Sequence, residues 1–354
     1  MAQLDMHRDD LATSLLPPGY TVRSFTKIAT LWAGYGSVSR LKVDGNSLIL
    51  KEINLSERKK KDTSHTRKVT SYHVEAEFYK PGGLAESLLQ SSPWAAIPKP
   101  LGVRVEQDRI SLLLSDLLPA FPREEDELDF THAKSAMRWL AGWHAHFWGS
   151  ETDKDRAAAG PVAASGVWKE GGYWYLATRM EELESIGSES KWKQIKDAAF
   201  PVAQRLRGPI DGSKSGPSRF RTVVHGDPKS ANILFADQPG EDGLPACAFF
   251  DMQYVGFGYG AVDIAYLLAT SVNVKALERN EASLLETYLC ELQRVLKHRG
   301  LLEDARDYTM DVLKLHLDLA LIDWVRFMAG WGMWGNSAWA ERKARQALAK
   351  LQLS

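Results

Sequence analysis

Cysteine is nearly absent: the 354 residues contain two, Cys247 and Cys290. They form neither a metal-type spacing nor a disulfide framework, and a reducing compartment is the expectation. An excess of either charge is also missing. Forty-four Lys and Arg against 45 Asp and Glu leave a net charge of −1 and a pI of about 6.8, without the basic footprint of a general nucleic-acid binder. No apolar run reaches the roughly 18 residues of a membrane-spanning helix. The first twenty residues lack the basic-then-apolar order of a signal peptide. No internal repeat is evident. These absences leave a cytoplasmic globular chain, long enough for two lobes with substantial cores.

The chain is organised around Val223–Asp251. Val223 and Val224 lead into His225-Gly226-Asp227, Asn232 follows five residues after the Asp, and Ile233–Phe235 form a second apolar run. The Gly-, Pro- and Asp-rich segment 236–245 reads as a hairpin connection. Ala246–Phe250 reads as a short buried strand that ends on Asp251. This order would set Asp227, Asn232 and Asp251 at the ends of adjacent strands, facing one cleft. Phosphoryl transfer needs such a set: a carboxylate to take the acceptor hydroxyl's proton, and an amide and a second carboxylate to hold magnesium on the nucleotide phosphates. Magnesium prefers hard oxygen ligands of this kind.

The pattern H-x-D-x(4)-N with a later Asp resembles the catalytic and metal loops of the kinase-like phosphotransferases: protein kinases, aminoglycoside phosphotransferases, choline kinases and ecdysteroid-kinase-like proteins. The resemblance implies Asp227 as catalytic base, Lys229 as the lysine two residues beyond it, Asn232 and Asp251 as metal ligands, and His225 as a buried support. It also implies an α+β, bilobal protein-kinase-like fold: an N-lobe antiparallel sheet plus helix, and a mainly helical C-lobe. Residues 1–116 are expected to be the ATP-binding lobe and 117–354 the catalytic and acceptor-binding lobe, with ATP and Mg2+ as cofactors.

In the first lobe, Thr21–Ile28, Ser37–Val43 and Ser47–Ile53 read as strands, the last two joined by Asp44-Gly45-Asn46. Between the first two lies Trp32-Ala33-Gly34-Tyr35-Gly36-Ser37. Its glycines would let backbone N–H groups approach phosphates, although the kinase GxGxxG pattern is incomplete and a plain hairpin fits the same residues. Lys51 lies on an otherwise apolar strand and needs a partner if it points inward. In the kinase fold the matching lysine holds phosphates and pairs with a glutamate on the next helix. Here that helix begins near Ser71, with Glu75 expected and Glu77 the alternative. The basic run Glu57–Lys68 reads either as a solvated loop or as a flap over ATP or an anionic acceptor. Ile97–Val103 and Arg109–Leu114 read as two more strands. Ser115–Pro119, with Asp116, resembles the hinge that meets the adenine.

In the second lobe, Pro122–Asp129 is an acidic run, read as a solvated helix start or as an attractant for a cationic acceptor. A helix begins at Thr131, with Ala136, Leu140, Trp143 and Phe147 at helical spacing. Its segment LAGWHAHFW resembles a helix of the ecdysteroid-kinase-like and aminoglycoside-kinase-like proteins. His144 and His146, two apart, fall on different faces, which suits core or supporting roles rather than a metal site. Residues 151–170 read as loop, Tyr173–Glu184 and Trp192–Arg205 as helices, and 207–218 as a linker. Asp263 heads an apolar helix and resembles the family aspartate that braces the catalytic loop; an N-cap role is compatible. Helices follow to residue 353. Trp324, Trp331, Trp334 and Trp339, with Asp323 and Arg326 beside them, are the expected acceptor wall, together with the cleft side of the helix from Thr131. Packing between helices is the competing role for each Trp.

Asp251 runs quickly into Asp263, which leaves no room for a protein-kinase activation loop and favours a small-molecule acceptor. The expected activity is ATP- and Mg-dependent transfer of the γ-phosphate to a small-molecule hydroxyl, with no nucleic-acid partner and no membrane span. Antibiotic and choline-like acceptors are the alternatives within the class, and a catalytically inactive nucleotide-binding module is the alternative outside it. Residues 117–354 hold 28 Lys and Arg against 32 Asp and Glu, too mild an excess to specify a polycationic substrate.

Overall fold

Antiparallel strands build the first part of the chain. The computed structural model describes residues 13–16, 19–31, 34–56, 63–92, 94–208 and 219–353. Strands β1 (Val22–Thr30), β2 (Gly36–Val43), β3 (Asn46–Asn54), β4 (Pro100–Val105) and β5 (Arg109–Ser115) form one sheet in the order β1-β2-β3-β5-β4. Asp44 and Gly45 turn the β2–β3 hairpin at φ 45° and 86°, the left-handed pair that a two-residue hairpin requires. The turn sets Val43 opposite Asn46 and Leu41 opposite Leu48. Alternation along β3 then divides its side chains. Leu48 and Leu50 join Leu41, Val43 and Leu113 in a small core on one face, while Ile49, Lys51 and Ile53 take the other.

Helix α1 (Thr63–Tyr79) lies against β4 and β5 and buries Tyr72, Val74, Glu75, Ala76, Phe78 and Tyr79. It starts earlier than the sequence suggests, so residues 63–68 of the basic run are helical. Residues 57–62 of that run, like Trp32, Ala33 and 209–218 of the expected linker, lie outside the described residues. Helix α2 (Leu84–Ser91) follows.

The remainder is mainly helical. The acidic run does not open a helix along its length. Arg123–Glu124 is instead a short strand, β6, and Asp129 caps α3 (Phe130–His146) by accepting from the His132 N–H at 2.9 Å. Short helices of five to nine residues follow: α4 (Asp153–Ala157), inside the expected 151–170 loop, then α5 (Met180–Ser185), α6 (Lys193–Asp197) and α7 (Ala199–Arg207). Strands β7 (Thr222–Val224), β8 (Ile233–Pro239), β9 (Pro245–Phe249) and β10 (Gly256–Gly258) precede α8 (Ala261–Thr270), α9 (Val274–His298), α10 (Leu302–Asp307), α11 (Met310–Trp331) and α12 (Ser337–Leu351). Helix α3 packs along α9, and α11 packs on α8 and α12. One apolar core continues from the Ile53 face of the sheet through these helices.

The strands of the central motif do not all lie side by side. β8 pairs with β9 and β6, whereas β7 pairs with β10 in a separate two-stranded piece. The His225–Asn232 loop crosses between the two pieces, and the Phe250 N–H donates to the Asn232 carbonyl at 3.1 Å to close the gap. Among the described residues no helix is long and apolar enough to cross a membrane.

Candidate active site

A cleft of about 710 Å³ lies under the sheet, bounded on one side by β1, β2, β3 and the segment after β5, and on the other by the catalytic loop and α11. Lys51 enters it from β3, between Val38 and Leu112. Its Nζ donates to Glu75 Oε2 at 2.7 Å and to Asp251 Oδ1 at 2.9 Å. The partner on α1 is thus Glu75; Glu77 is exposed and pairs with Lys80. Burial pushes the Glu75 carboxyl up, Lys51 pulls it part of the way back, and it settles at about 7. Burial would lower the Lys51 ammonium, but Asp251 and Glu75 hold it above its ordinary value. Burial would likewise raise Asp251, and the Lys51 ammonium outweighs it, so that carboxyl is lowered.

The β1–β2 connection sits differently from expectation. Ile28–Leu31 and Val38 line the cleft, whereas Gly34, Gly36 and Ser37 are not among its lining residues. Gly36 serves close strand packing: a Cβ there would stand 1.9 Å from the Glu52 carbonyl oxygen. Asp116 reaches the cleft after β5, but its carboxylate is taken. It accepts from Arg40 Nε at 2.7 Å, Ser47 Oγ at 2.6 Å and the Leu118 N–H at 3.1 Å. Burial would raise this carboxyl, and these donors together lower it. It fixes the chain segment that leaves the sheet, rather than offering a free group to a ligand.

The His225–Asn232 loop hangs from α8. Asp263, fully buried, accepts from the His225 N–H at 2.6 Å, the Gly226 N–H at 2.8 Å and His144 Nε2 at 3.1 Å. It braces the loop, and Gly260 holds the N-cap position. His144 is therefore a supporting residue of the site, with its Nδ1 at 2.9 Å from the Tyr288 hydroxyl. Burial lowers the His225 imidazole, keeping it neutral. Its Nε2–H donates to the Phe250 carbonyl at 3.1 Å, and its bare Nδ1 accepts from the Asp227 N–H at 3.3 Å. Gly226 sits at φ 84° with the Tyr254 carbonyl oxygen 2.2 Å from where a Cβ would be, so only glycine fits the bend before Asp227.

Asp227 is 4 % exposed. Its Oδ2 accepts from Lys229 Nζ at 2.8 Å and Asn232 Nδ2 at 3.1 Å, while its buried Oδ1 makes no hydrogen bond. Burial raises this carboxyl, with Lys229 opposing. Asn232 also donates to the Asp227 carbonyl at 2.9 Å and is not among the lining residues of the cleft. Asp251, at φ 69°, turns into the cleft.

Six aromatic residues, Tyr173, Tyr254, Tyr266, Phe327, Trp331 and Trp334, line the half of the cleft that adjoins Asp227 and Lys229. Tyr173 packs edge-on against Tyr254, Phe327 and Trp331. The Tyr266 phenol lies beside Asp227; burial, and then that carboxylate, hold it well above its ordinary range. The buried Arg179 guanidinium backs this wall, 4.1 Å from the Tyr173 ring centre. Trp331 and Trp334 are 46 % and 42 % exposed, as an acceptor wall requires, but Trp324 is fully buried and Trp339 is 2 % exposed. Those two pack between helices. Asp323 and Arg326 are buried and paired with each other at 2.6 Å, and α3 supplies no residue to the cleft. The three tyrosines and Phe327 went unread because each comes from a different segment, without a shared motif.

A family model, the ecdysteroid kinase-like family, matches residues 170–301. No protein of curated function matches the chain. Among solved structures, a microcompartment-associated aminopropanol kinase is 14% identical, with 98% of this chain and 95% of that one covered and a TM-score of 0.52. A proposed aminoglycoside phosphotransferase from Ralstonia eutropha is 11% identical, with 99% and 96% covered and a TM-score of 0.55. The chain thus has the protein-kinase-like fold of the small-molecule phosphotransferases, and its central segment carries the likeness to the ecdysteroid kinase-like family.

Proposed function

We propose that the protein is a kinase that transfers the γ-phosphate of ATP, with magnesium, to a hydroxyl group of a small molecule. The observation that carries this reading is Asp227 itself: a buried carboxylate in the cleft lining, with one oxygen held by Lys229 and Asn232 and the other buried without a hydrogen bond beside the Tyr266 phenol. An acceptor hydroxyl at Oδ1 would give its proton to Asp227 as its oxygen attacks the γ-phosphorus. Lys229, beside the same carboxylate, would offset charge on the transferred group. In this reading residues 1–116 hold the nucleotide, with Lys51 on its phosphates, and residues 117–354 hold the acceptor.

The residues suit magnesium. Both Lys51 and Gln253 bond Asp251 Oδ1, at 2.9 and 2.8 Å, which leaves Oδ2 without a partner among the described residues. Asn232 uses its Nδ2 on Asp227, and its amide oxygen is the second candidate ligand. Among the described residues no group of three His, Cys, Asp or Glu forms a complete metal cage. That also suits magnesium, which takes one or two protein oxygens and completes its octahedron with phosphates and water. When bound, it would neutralise charge on the β- and γ-phosphate oxygens.

The aromatic wall favours an acceptor with a flat or ring-shaped apolar body. Arg179 behind that wall, and the engagement of Asp116 and Glu75 elsewhere, argue against a polycationic antibiotic. Retention of Lys51, Asp227 and Asp251 in one cleft argues against an inactive binding module. The test is a label-transfer screen from ATP to a library of hydroxyl compounds, with Asp227→Asn as the control. The wild type should label at least one acceptor in magnesium, and Asp227→Asn should lose roughly 10²–10⁴ of that rate while still binding ATP. Near-wild-type turnover by Asp227→Asn would remove the proposed base.

A further inference from the structure

Protein kinases carry a glycine two residues after the metal-binding aspartate; this chain has Gln253 there. That amide is engaged at both ends. Its Nε2 donates to Asp251 Oδ1 at 2.8 Å, and its Oε1 lies 3.2 Å from the Ser71 hydroxyl of α1, whose single proton is shared with the Lys68 carbonyl at 2.8 Å. Its backbone carbonyl accepts from Trp168 Nε1 at 2.8 Å. Ser71 and Glu75 are one helical turn apart on the same face of α1, so that face meets Gln253 through Ser71 and Asp251 through the Glu75–Lys51 pair.

Asp251 needs such support. It is one of three non-glycine residues with positive φ among the described residues, and a left-handed backbone persists at such a residue only where its surroundings fix it. Lys51 and Gln253 converge on a single carboxylate oxygen, Oδ1. Their two bonds fix the plane of the carboxylate and present Oδ2 to the cleft.

We propose that Gln253 is a positioning residue: its amide, set by Ser71 on α1, orients Asp251 so that Oδ2 receives the divalent cation. The inference rests on Asp251 being the metal carboxylate of the proposed kinase. It gives α1 control over both nucleotide contacts, the lysine through Glu75 and the cation through Ser71 and Gln253.

The test is calorimetric titration of ADP into the full chain, in EDTA and across a series of magnesium concentrations, for the wild type, Gln253→Met, Ser71→Ala, their double variant and Asp251→Ala. Met preserves the length of the side chain and removes its donor. In EDTA, Gln253→Met and Ser71→Ala should bind ADP as the wild type does, which shows that they are folded. The magnesium concentration that half-saturates the enhancement of ADP binding should rise about 10–100-fold in Gln253→Met. It should rise less in Ser71→Ala, and the double variant should match Gln253→Met, because both act through one amide. A wild-type magnesium response in Gln253→Met, with that response lost in Asp251→Ala, overturns the positioning role and leaves the kinase reading intact. A wild-type response in Asp251→Ala overturns both.

Discussion

Replacing Asp263 with Asn isolates the brace under the catalytic loop. The side chain changes little in size, yet one of its two acceptor oxygens becomes an NH2 group. Asp263 accepts three hydrogen bonds in a site with no solvent exposure, two of them from the backbone N–H groups of His225 and Gly226 at 2.6 and 2.8 Å. Whichever way the amide turns, at least one backbone donor faces an NH2. Hydrogen bonds to charged groups contribute about 1.5–3 kcal/mol, and an orphaned buried donor costs about 1–3 kcal/mol more. The expected loss is about 2.5–6 kcal/mol of stability, read from urea unfolding as a lower midpoint. The loop that carries Asp227 shifts with its anchor. A displacement of about 1 Å at a reacting group costs on the order of 10² in rate, so kcat should fall about a hundredfold. ATP binding through Lys51 and Glu75 should change little, because that pair hangs from the sheet and α1. Unfolding midpoints, kcat and nucleotide affinity measured on one preparation check all three expectations. A variant with near-wild-type stability and turnover would refute the bracing role, and equal losses in ATP affinity and kcat would refute the separation of the two halves.

Lys229→Ala should move the acidic limb of the pH–rate profile upward. The proposed base role needs Asp227 deprotonated, burial already raises it, and Lys229 is the main group that opposes the rise; without it, activity should be lost at a higher pH as the medium is acidified. An unchanged limb would separate that limb from Asp227. Lys51→Met should abolish tight ATP binding and cost about 3–5 kcal/mol, because it leaves Glu75 buried without its cation; a thermal melt and an ATP titration measure the two effects. Trp331→Ala and Trp334→Ala should raise the acceptor KM at an unchanged ATP KM and barely move Tm, corresponding to about 1–3 kcal/mol of acceptor binding. Trp324→Ala, at a fully buried site, should instead cost about 3–5 kcal/mol of stability and affect both substrates alike. The reverse pattern would place the acceptor elsewhere.

The sequence alone determined which groups fall along one segment. His225-Gly226-Asp227, Asn232 and Asp251 are legible there because their short spacings are the ones that the proposed phosphoryl transfer would need. The strands of the first part follow from period-two apolar runs and the Asp44-Gly45 turn, and Lys51 on an apolar strand calls for a carboxylate on the next helix without fixing which one. Tertiary structure decided what depends on distance between segments. It chose Glu75 over Glu77 by which face of α1 meets the sheet, and it set the Asp116 carboxylate against Arg40 and Ser47. It split the four C-terminal tryptophans into two that pack and two that face the cleft. It also gathered Tyr173, Tyr254 and Tyr266 around Asp227 from three separate segments. Local spacing encodes periodicity and turns, which neighbouring residues feel directly. A wall assembled from distant segments exists only after the helices have packed, because only packing decides which side of each ring meets protein and which is left to the cleft.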